Sequence, residues 1–459
     1  MGLKLHAPVA MLPDEWARDV LVEIDDAGLI AAVTPDAAPG DAERLAGPLL
    51  PGMPNLHSHA FQRAMAGRTE RHAGGADSFW TWREEMYRFV ARVTPEDILA
   101  IAAQLDVELL KQGYTSVAEF HYLRHDPAGR PYSDRTTMAE ALMEAASGSG
   151  IAITLLPVLY ERAGFDGGSL ANAQKRFATR AEDVLDMVTC LRSRHRTDAN
   201  VQVGVAPHSL RAVSPETLAA MLDGLDEDAP TAPIHIHAAE QVREVEDCRA
   251  WSGLAPVEWL LRNAPVDARW CLVHCTHASE RELAELAARA AVVGLCPTTE
   301  ANLGDGVFPL AALLAAEGRF GIGSDSNVSQ SPVEELRWLE YGQRLVARRR
   351  NVAATSARPS VGASLWRRAL QGGAQALGRR TGTIAPGLHA DLVVLDGADP
   401  RLAAANGDAI LDALVFAGNA PLVRDVFVSG RRVVHEGRVA GEEAIARRYG
   451  EALARLVAR

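Results

Sequence analysis

Six side chains of types that bind metals or move protons stand at the ends of apolar runs: His57, His59, His237, Glu240, His274 and Asp325. His57-Ser58-His59 puts two imidazoles at i and i+2, one face of an extended strand, so both can reach a single ion. An HxH pair taken alone is more often two satisfied surface histidines. Here further groups follow the same pattern. His237 ends the run APIHIH with Glu240 three residues on, His274 ends RWCLVH, and Asp325 ends FGIGSD. Imidazole nitrogens and a carboxylate suit a zinc-class ion. Such an ion lowers the pKa of water from 15.7 toward roughly 7, which supplies a nucleophile at neutral pH.

These groups need elements that bring them together. Apolar runs recur at LLPGMPNLHSH (49–59), TSVAEFHY (115–122), IAITLLPVLY (151–160), VQVGVAPHS (201–209), APIHIHAAE (232–240), RWCLVHCTH (269–277), AVVGLCPTTE (291–300) and FGIGSDSN (320–327). Continuous rather than alternating hydrophobicity is what strands buried on both faces require. Between them lie helix starts: Thr94-Pro95-Glu96-Asp97, Ser214-Pro215-Glu216 and Ser331-Pro332-Val333-Glu334, the first helix closing at Gly113. The alternation predicts an α/β fold, a parallel (β/α)8 barrel. A doubly wound open sheet has a similar period, but only a barrel gathers polar residues from nearly every strand end into one pocket.

The two ends of the chain read differently. Residues 18–33 form two short strands around Asp25-Asp26-Ala27-Gly28, and 389–396 and 423–440 are hairpin-like with Ser429-Gly430 as a turn. Neither piece is large enough to stand alone. They are expected to join into one small β-sandwich domain (residues 1–50 and 380–459) flanking a catalytic barrel (51–379).

His57-x-His59, His237 with Glu240, His274, and Asp325 in Gly323-Ser324-Asp325-Ser326 resemble the amidohydrolase superfamily of metal-dependent hydrolases. The closer likeness is to its deaminase branch, and it extends over Gly382-Thr383-Ile384 and Ala390-Asp391-Leu392-Val393-Val394. The resemblance implies one divalent metal per chain, most simply Zn2+, on His57, His59, His237 and Asp325, with Glu240, His274 and Asp325 as catalytic groups. Binuclear members carry a lysine at strand four. This chain has Pro207-His208-Ser209 there, and its only lysines are Lys4, Lys111 and Lys175.

A second set separates members of the branch. Gln62 in HSHAFQR, Arg83 in TWRE, Tyr122 in EFHY, and His208 with Arg211 in APHSLRAV resemble the N-formimidoyl-L-glutamate deiminases of histidine degradation. That likeness implies that Gln62 approaches the formimidoyl group while Arg83, Tyr122, His208 and Arg211 hold the glutamate end. The physics agrees, because a dicarboxylate calls for planar guanidinium forks. Two other readings stay open. An aminohydrolase of a purine, pterin or triazine ring would favour aromatic stacking with few cations. A noncatalytic scaffold would show gaps in the metal set. Arg83 also reads as the start of an amphipathic helix and Tyr122 as a packed aromatic. His121, His125 and His277 read as structural or supporting residues, and Cys271 and Cys275 as small core residues.

Composition bounds the rest. With 47 Lys+Arg against 59 Asp+Glu, the net charge of -12 argues against a nucleic-acid binder. Hydrophobic residues at 48% and charged ones at 23% exclude wholesale disorder. No run approaches the ~20 apolar residues of a membrane span, and the N-terminus lacks the apolar stretch of a secretory signal. Five cysteines without a CxxC pair suggest neither a disulfide framework nor a zinc ribbon, hence a reducing cytoplasm. The expected partner is a small anionic substrate, and the expected assembly a homodimer.

Overall fold

The computed structural model describes residues 2–70 and 78–458. The barrel strands are Met53–Ser58 (one), Tyr114–His121 (two), Ala152–Leu159 (three), Val201–Val203 with Ala206–Pro207 (four), Ile234–Ala238 (five), Trp270–His274 (six), Val292–Leu295 (seven) and Arg319–Ile322 (eight). Each pairs in parallel with its neighbour along two arcs, strands one to four and five to eight. Every residue of strands one, two, three, five and six is buried, which is why their sequences run apolar without alternation.

The two seams between the arcs carry single bridges rather than ladders: Ser58 to Asp325 at one, Val205 to Ile234 and Ser209 to His237 at the other. The barrel therefore has its eight strands in order without a continuous ring of hydrogen bonds. Strand four, expected as one run over 201–209, is broken at Gly204. A Cβ there would lie 2.4 Å from the Pro233 carbonyl, so the backbones press together and the ladder lapses.

Helix starts follow the cap residues. Thr94 and Asp97 form a reciprocal capping box on Pro95–Lys111, and Ser214 and Ser331 cap Pro215–Asp228 and Pro332–Ala347. Helix Val361–Leu377 closes the end of the barrel away from the site. A Cβ on Gly372 would lie 2.0 Å from the Phe320 oxygen, so only glycine lets this helix lie on strand eight. Thr154 Oγ1 donates to Leu377 O at 2.9 Å, and His235 Nε2 lies 2.8 Å from Ala376 O.

Both chain ends meet in one nine-stranded sheet. Leu49–Pro51 lies between Leu392–Leu395, which it pairs antiparallel, and Leu3–Met11, which it pairs parallel. These three residues, merged with strand one in the sequence reading, thus belong to the β-sandwich. Leu3–Met11 is a strand that the sequence reading passed over. The sandwich has its own core, with Leu5, Val22, Leu49, Leu392, Val394 and Phe427 fully or almost fully buried. The last helix, Glu442–Val457, returns to the barrel and meets helix Pro95–Lys111 through Lys111–Glu442 (2.9 Å) and Arg455–Asp97 (2.8 Å).

A buried ion pair locks the sandwich to the barrel. Arg379 grips Asp391 with two parallel bonds of 2.9 and 3.1 Å, and also reaches Ala199 O, Asn200 and Ser429. Asp391 also accepts from Thr381 Oγ1 and the Ser429 amide, so the charge is fully met. Burial alone would raise its carboxyl, but the guanidinium and these bonds hold it below the ordinary value. Asp391→Asn leaves the guanidinium buried without its anion. It is expected to destabilise the fold by about 3–5 kcal/mol, read from the denaturant midpoint. An unchanged midpoint would show that the clasp carries no net stability.

Candidate active site

Strands one, five and eight deliver the nitrogen and oxygen ligand atoms. His57 is the penultimate residue of strand one, and His59 immediately precedes a short helix over Ala60–Met65. The seam bridge sets their relation to Asp325: His59 N donates to Asp325 O (3.0 Å) and Asp325 N to His57 O (2.9 Å). Asp325 Oδ1 then stands 3.4 Å from Nε2 of both His57 and His59, and His237 Nε2 stands 3.1 Å from His57 Nε2.

The far sides of two rings fix their protons. His59 Nδ1 lies 3.1 Å from Phe120 O, and His237 Nδ1 lies 3.0 Å from His208 O. A carbonyl only accepts, so each Nδ1 carries hydrogen and each Nε2 presents a lone pair inward. Burial keeps the rings neutral, pushing His59 down to about 3 and His237 well below its ordinary value. The His59 lone pair thus faces the Asp325 carboxylate with no hydrogen between them. That arrangement is stable around a cation, and the donor set of three imidazoles and one carboxylate fits a divalent ion. His57, His59 and His237 bring their ligand atoms within 4.8 Å of one another. His274, Cys296 and Asp325 do so as well, but burial holds the Cys296 thiol well above its ordinary pKa, protonated and poor as a ligand.

Beside this cluster lies a chain of charged groups. Glu240 Oε1 and Asp325 Oδ2 each stand 3.8 Å from His274 Nε2. Burial pushes the Glu240 carboxyl up to about 7, against the pull of His274 and Arg211, while Glu244 and Asp325 add to the rise. Burial would lower His274, but Glu240, Glu300 and Asp325 overcome it and carry the ring to about 10. A proton donor and an ionised neighbour are thereby held a few ångströms apart.

The substrate-facing residues named from sequence come together on the other wall. Gln62, Arg83, Tyr122, His208 and Arg211 all line one enclosed cavity of about 60 Å³ with His59, His237, Glu240, His274 and Asp325. Gln62 Nε2 donates to Tyr122 Oη at 2.9 Å, and its Oε1 has no partner. Helix Phe79–Val90, capped by Ser78, forms the roof with Phe79, Trp82, Arg83, Met86 and Tyr87. Arg83 lies 4.6 Å over the Trp80 ring, and its Nε is unpartnered. Arg211 is nearer the acids than sequence alone suggested, its Nη2 3.7 Å from Glu240 Oε2 and its Nε, which makes no hydrogen bond, 4.0 Å from Glu244 Oε1.

Sequence reasoning missed three supporting groups. Glu300 Oε1 lies 3.3 Å from His274 Nδ1 and also accepts from Cys296 N, which orients the imidazole. Its signal was available, since it closes the strand-seven run CPTTE. Glu244 accepts from the Glu240 amide (3.0 Å), although from sequence it reads as an ordinary first-turn acid. Asp305, bonded to Gln241 and pushed up to about 9 by burial and by Glu240, lies on a segment with no motif to betray it. Of the residues set aside, His125 bonds Ala178 O, His121 is buried and held at about 3, and Cys271 and Cys275 are free and buried.

Comparison with known proteins accords with this geometry. Residues 49–433 match the Amidohydrolase family, and residues 4–47 match the family described as "Formimidoylglutamate deiminase HutF, N-terminal domain". A curated formimidoylglutamate deiminase of Pseudomonas aeruginosa is 54% identical over 453 residues, 99% of each chain. The crystal structure of an amidohydrolase from Brucella melitensis superposes with a TM-score of 0.94 at 46% identity, covering 99% of this chain and 100% of that one. An adenosine deaminase from Xanthomonas campestris with bound zinc shares the fold, with a TM-score of 0.82, 23% identity and coverage of 99% and 98%. A family match across most of the length, and a relative this similar from end to end, establish that the chain belongs to the amidohydrolase family.

Proposed function

We propose that this chain hydrolyses N-formimidoyl-L-glutamate to N-formyl-L-glutamate and ammonia, a step in histidine degradation. One observation carries the reading: a single cavity joins the His/Asp/Glu cluster to two guanidiniums, Arg83, whose Nε makes no hydrogen bond, and Arg211, which stands beside Glu240. Similarity to the Pseudomonas aeruginosa deiminase supports it over its whole length. A ring aminohydrolase is less well served. The aromatic rings of the cavity pack edge-to-face on one another, Tyr122 and Tyr160 both on Phe177, and leave Arg83, which has no acidic partner among the described residues, as the cation open to a carboxylate. The direct test is ammonia release by the purified enzyme from N-formimidoyl-L-glutamate against purine and pterin amines. Release from a ring amine alone would overturn the proposal.

The assignment of roles follows the geometry. His57, His59, His237 and Asp325 hold one divalent ion, which we take to be zinc. Such an ion makes water acidic enough to serve as a nucleophile near neutral pH. His274 and Asp325 would orient that water toward the formimidoyl carbon, and Glu300 fixes the His274 ring. Glu240, whose carboxyl sits near 7 and so can both give and take a proton at neutral pH, would protonate the formimidoyl nitrogen as water adds, take up the proton of the added hydroxyl and pass it to the same nitrogen as the C–N bond breaks, so that both hydrogens of water leave on ammonia. Gln62 faces the formimidoyl group with its free Oε1, while Arg83, Tyr122, His208 and Arg211 hold the glutamate carboxylates.

The same reading takes residues 51–379 as the catalytic unit and 1–50 with 380–459 as its flanking domain. It takes the enzyme as a cytoplasmic homodimer acting on a small anion, with no nucleic-acid partner. Free cysteines, four of them buried, support a reducing compartment. Among the described residues no helix is long and apolar enough to cross a membrane.

His59→Ala, His237→Ala and Asp325→Ala should each lower bound zinc, measured by elemental analysis, together with turnover, because each removes a ligand. Full metal content in all three would remove them from the metal site. Glu240→Gln should retain the metal and lose at least ~10²-fold in kcat, the usual worth of a proton-transfer group. A near wild-type kcat would place the proton elsewhere. Because Arg211 also touches Glu240, Arg83→Met is the cleaner probe of carboxylate binding. It should cost about 2 kcal/mol or more in kcat/KM for N-formimidoyl-L-glutamate, and less for a formimidoyl amine without carboxylates. Equal losses on both substrates would make Arg83 part of the wall and not of the recognition.

A further inference from the structure

Two tyrosines of the cavity wall hold hydrogens that the protein does not use up. Tyr87, on the roof helix, and Tyr160, just past the end of strand three, are both buried and both line the cavity. Gln174 Nε2 donates to both, at 2.9 Å to Tyr160 Oη and 3.3 Å to Tyr87 Oη. Its Oε1 accepts from the Ala171 amide at 2.9 Å, which fixes the side chain with its nitrogen toward the tyrosines. An amide nitrogen only donates, so both phenol oxygens are acceptors here and each keeps its own hydrogen to give away. If the two hydroxyls bond to one another, that uses one hydrogen. The other has no acceptor among the described residues. Burial, and the neighbouring Tyr160, push the Tyr87 hydroxyl above its ordinary pKa, so it does not lose its hydrogen by ionising.

Gln174 stands on a short helix, Asn172–Phe177, that is fastened on two sides. Buried Arg176 donates from Nε and Nη2 to His125 O (3.0 and 2.8 Å), from Nη2 to Val93 O (2.7 Å) and from Nη1 to Val90 O. It thereby ties the short helix to the loop after strand two and to the end of the roof helix. Phe177 packs against the rings of Tyr87, Tyr122 and Tyr160, with centroids 6.0, 4.9 and 5.8 Å away. The position of the two hydroxyls is therefore fixed from behind. What they face follows from their distance to the metal cluster. The His237 ring lies 4.9 Å from that of His208, which lies 4.7 Å from that of Tyr160, so Tyr160 is two rings out from the ion site. The Arg83 guanidinium lies 5.6 Å from the Tyr87 ring centre. In N-formimidoyl-L-glutamate the side-chain carboxylate is likewise at the far end from the reacting carbon. A carboxylate has about four acceptor positions and a guanidinium fork fills two, which leaves room for hydroxyl donors.

Resting on the deiminase reading above, we infer that Tyr87 and Tyr160 donate to the side-chain carboxylate of the substrate beside Arg83, and that Gln174 is the positioning residue that turns their hydrogens toward it. A guanidinium attracts any anion within reach. Neutral donors held at one place add a requirement of position, because a substrate without an acceptor there leaves them buried and unpaired.

The experiment compares N-formimidoyl-L-glutamate with N-formimidoyl-L-norvaline, which keeps the chain length and the α-carboxylate and has a methyl group in place of the side-chain carboxylate. Wild type should prefer the first. The double variant Tyr87→Phe/Tyr160→Phe should lose roughly 10- to 100-fold in kcat/KM on it, the worth of a hydrogen bond to a charged group, and much less on the second. The loss should fall on KM more than on kcat, since the carboxylate is held alike before and during reaction. Should the double variant melt early or lose its metal, Tyr87→Phe and Tyr160→Phe singly carry the same comparison. Gln174→Glu still accepts from the Ala171 amide but offers the tyrosines a carboxylate, which takes their hydrogens and turns them from the cavity. It should show the same selective loss, whereas a role limited to holding Asn172–Phe177 in place leaves the preference between substrates at its wild-type value. Calorimetry with N-formyl-L-glutamate against N-formyl-L-norvaline reads the same difference without turnover. Equal losses on both substrates, or no loss on either, overturn the inference and leave the deiminase reading standing. A wild type that hydrolyses neither overturns both.

Discussion

The constraint on which the rest of this structure depends is the meeting of unprotonated nitrogens and a carboxylate in a buried cluster. His59 and His237 have each given their Nδ1 hydrogen to a carbonyl, so their Nε2 atoms face inward as lone pairs, toward Asp325 and toward His57. Buried acceptors without donors are costly, and lone pairs set against a carboxylate cost more. A divalent cation resolves every one of these contacts at once. The carbonyls of Phe120 and His208 are therefore as much a part of the site as the ligands, because they decide which way the imidazoles present their electrons.

Holding those groups together requires backbone that a free chain would not adopt. Ala239, His274, Cys275, Asp325 and Asn327 all have φ between 45 and 72°, in the left-handed region, and all stand just where strands end at the site. Each such residue costs of order 1–3 kcal/mol. A side-chain clasp offsets this at the seam of strands one and eight. Asn327 Nδ2 donates to His59 O and Asp325 O, its Oδ1 accepts from Ser324, and Asn55 bonds both the amide and the hydroxyl of Ser324. Where the ladder shrinks to one bridge, this network supplies the bonds that a longer ladder would have made.

The acidic half of the cavity solves a different problem, that of keeping one carboxyl protonated near another that is ionised. Asp325, bonded to His57 and near His274 and His59, is held well below the ordinary carboxylate range in spite of its burial. Glu240, buried and beside Glu244 and Asp325, sits near 7. Environments that push two acids apart in this way divide the work between them. Arg211 limits the effect, since its charge, shared between Glu240 and Glu244, stops Glu240 from climbing further.

Much of this was legible in the sequence. Runs buried on both faces must be apolar throughout, and helix caps use few residue types, so the order of elements follows from local chemistry. Once those elements alternate, the strand ends are forced into one place, and His57, His59, His237, Glu240, His274 and Asp325 declare themselves by standing there. What local pattern cannot report is who faces whom. Leu49–Pro51 looks like the beginning of strand one, yet it pairs with Leu3–Met11 and Leu392–Leu395, partners dozens to hundreds of residues away. Strand four breaks because Gly204 meets Pro233, which no run of 201–209 contains. Glu244 looks like an ordinary helix acid until folding sets it under Glu240, and Glu300, though it closes the strand-seven run, shows its partner His274 only in the fold. Composition and periodicity record how each segment meets solvent, whereas proton position and charge balance depend on distances between segments, and only the assembled fold fixes those.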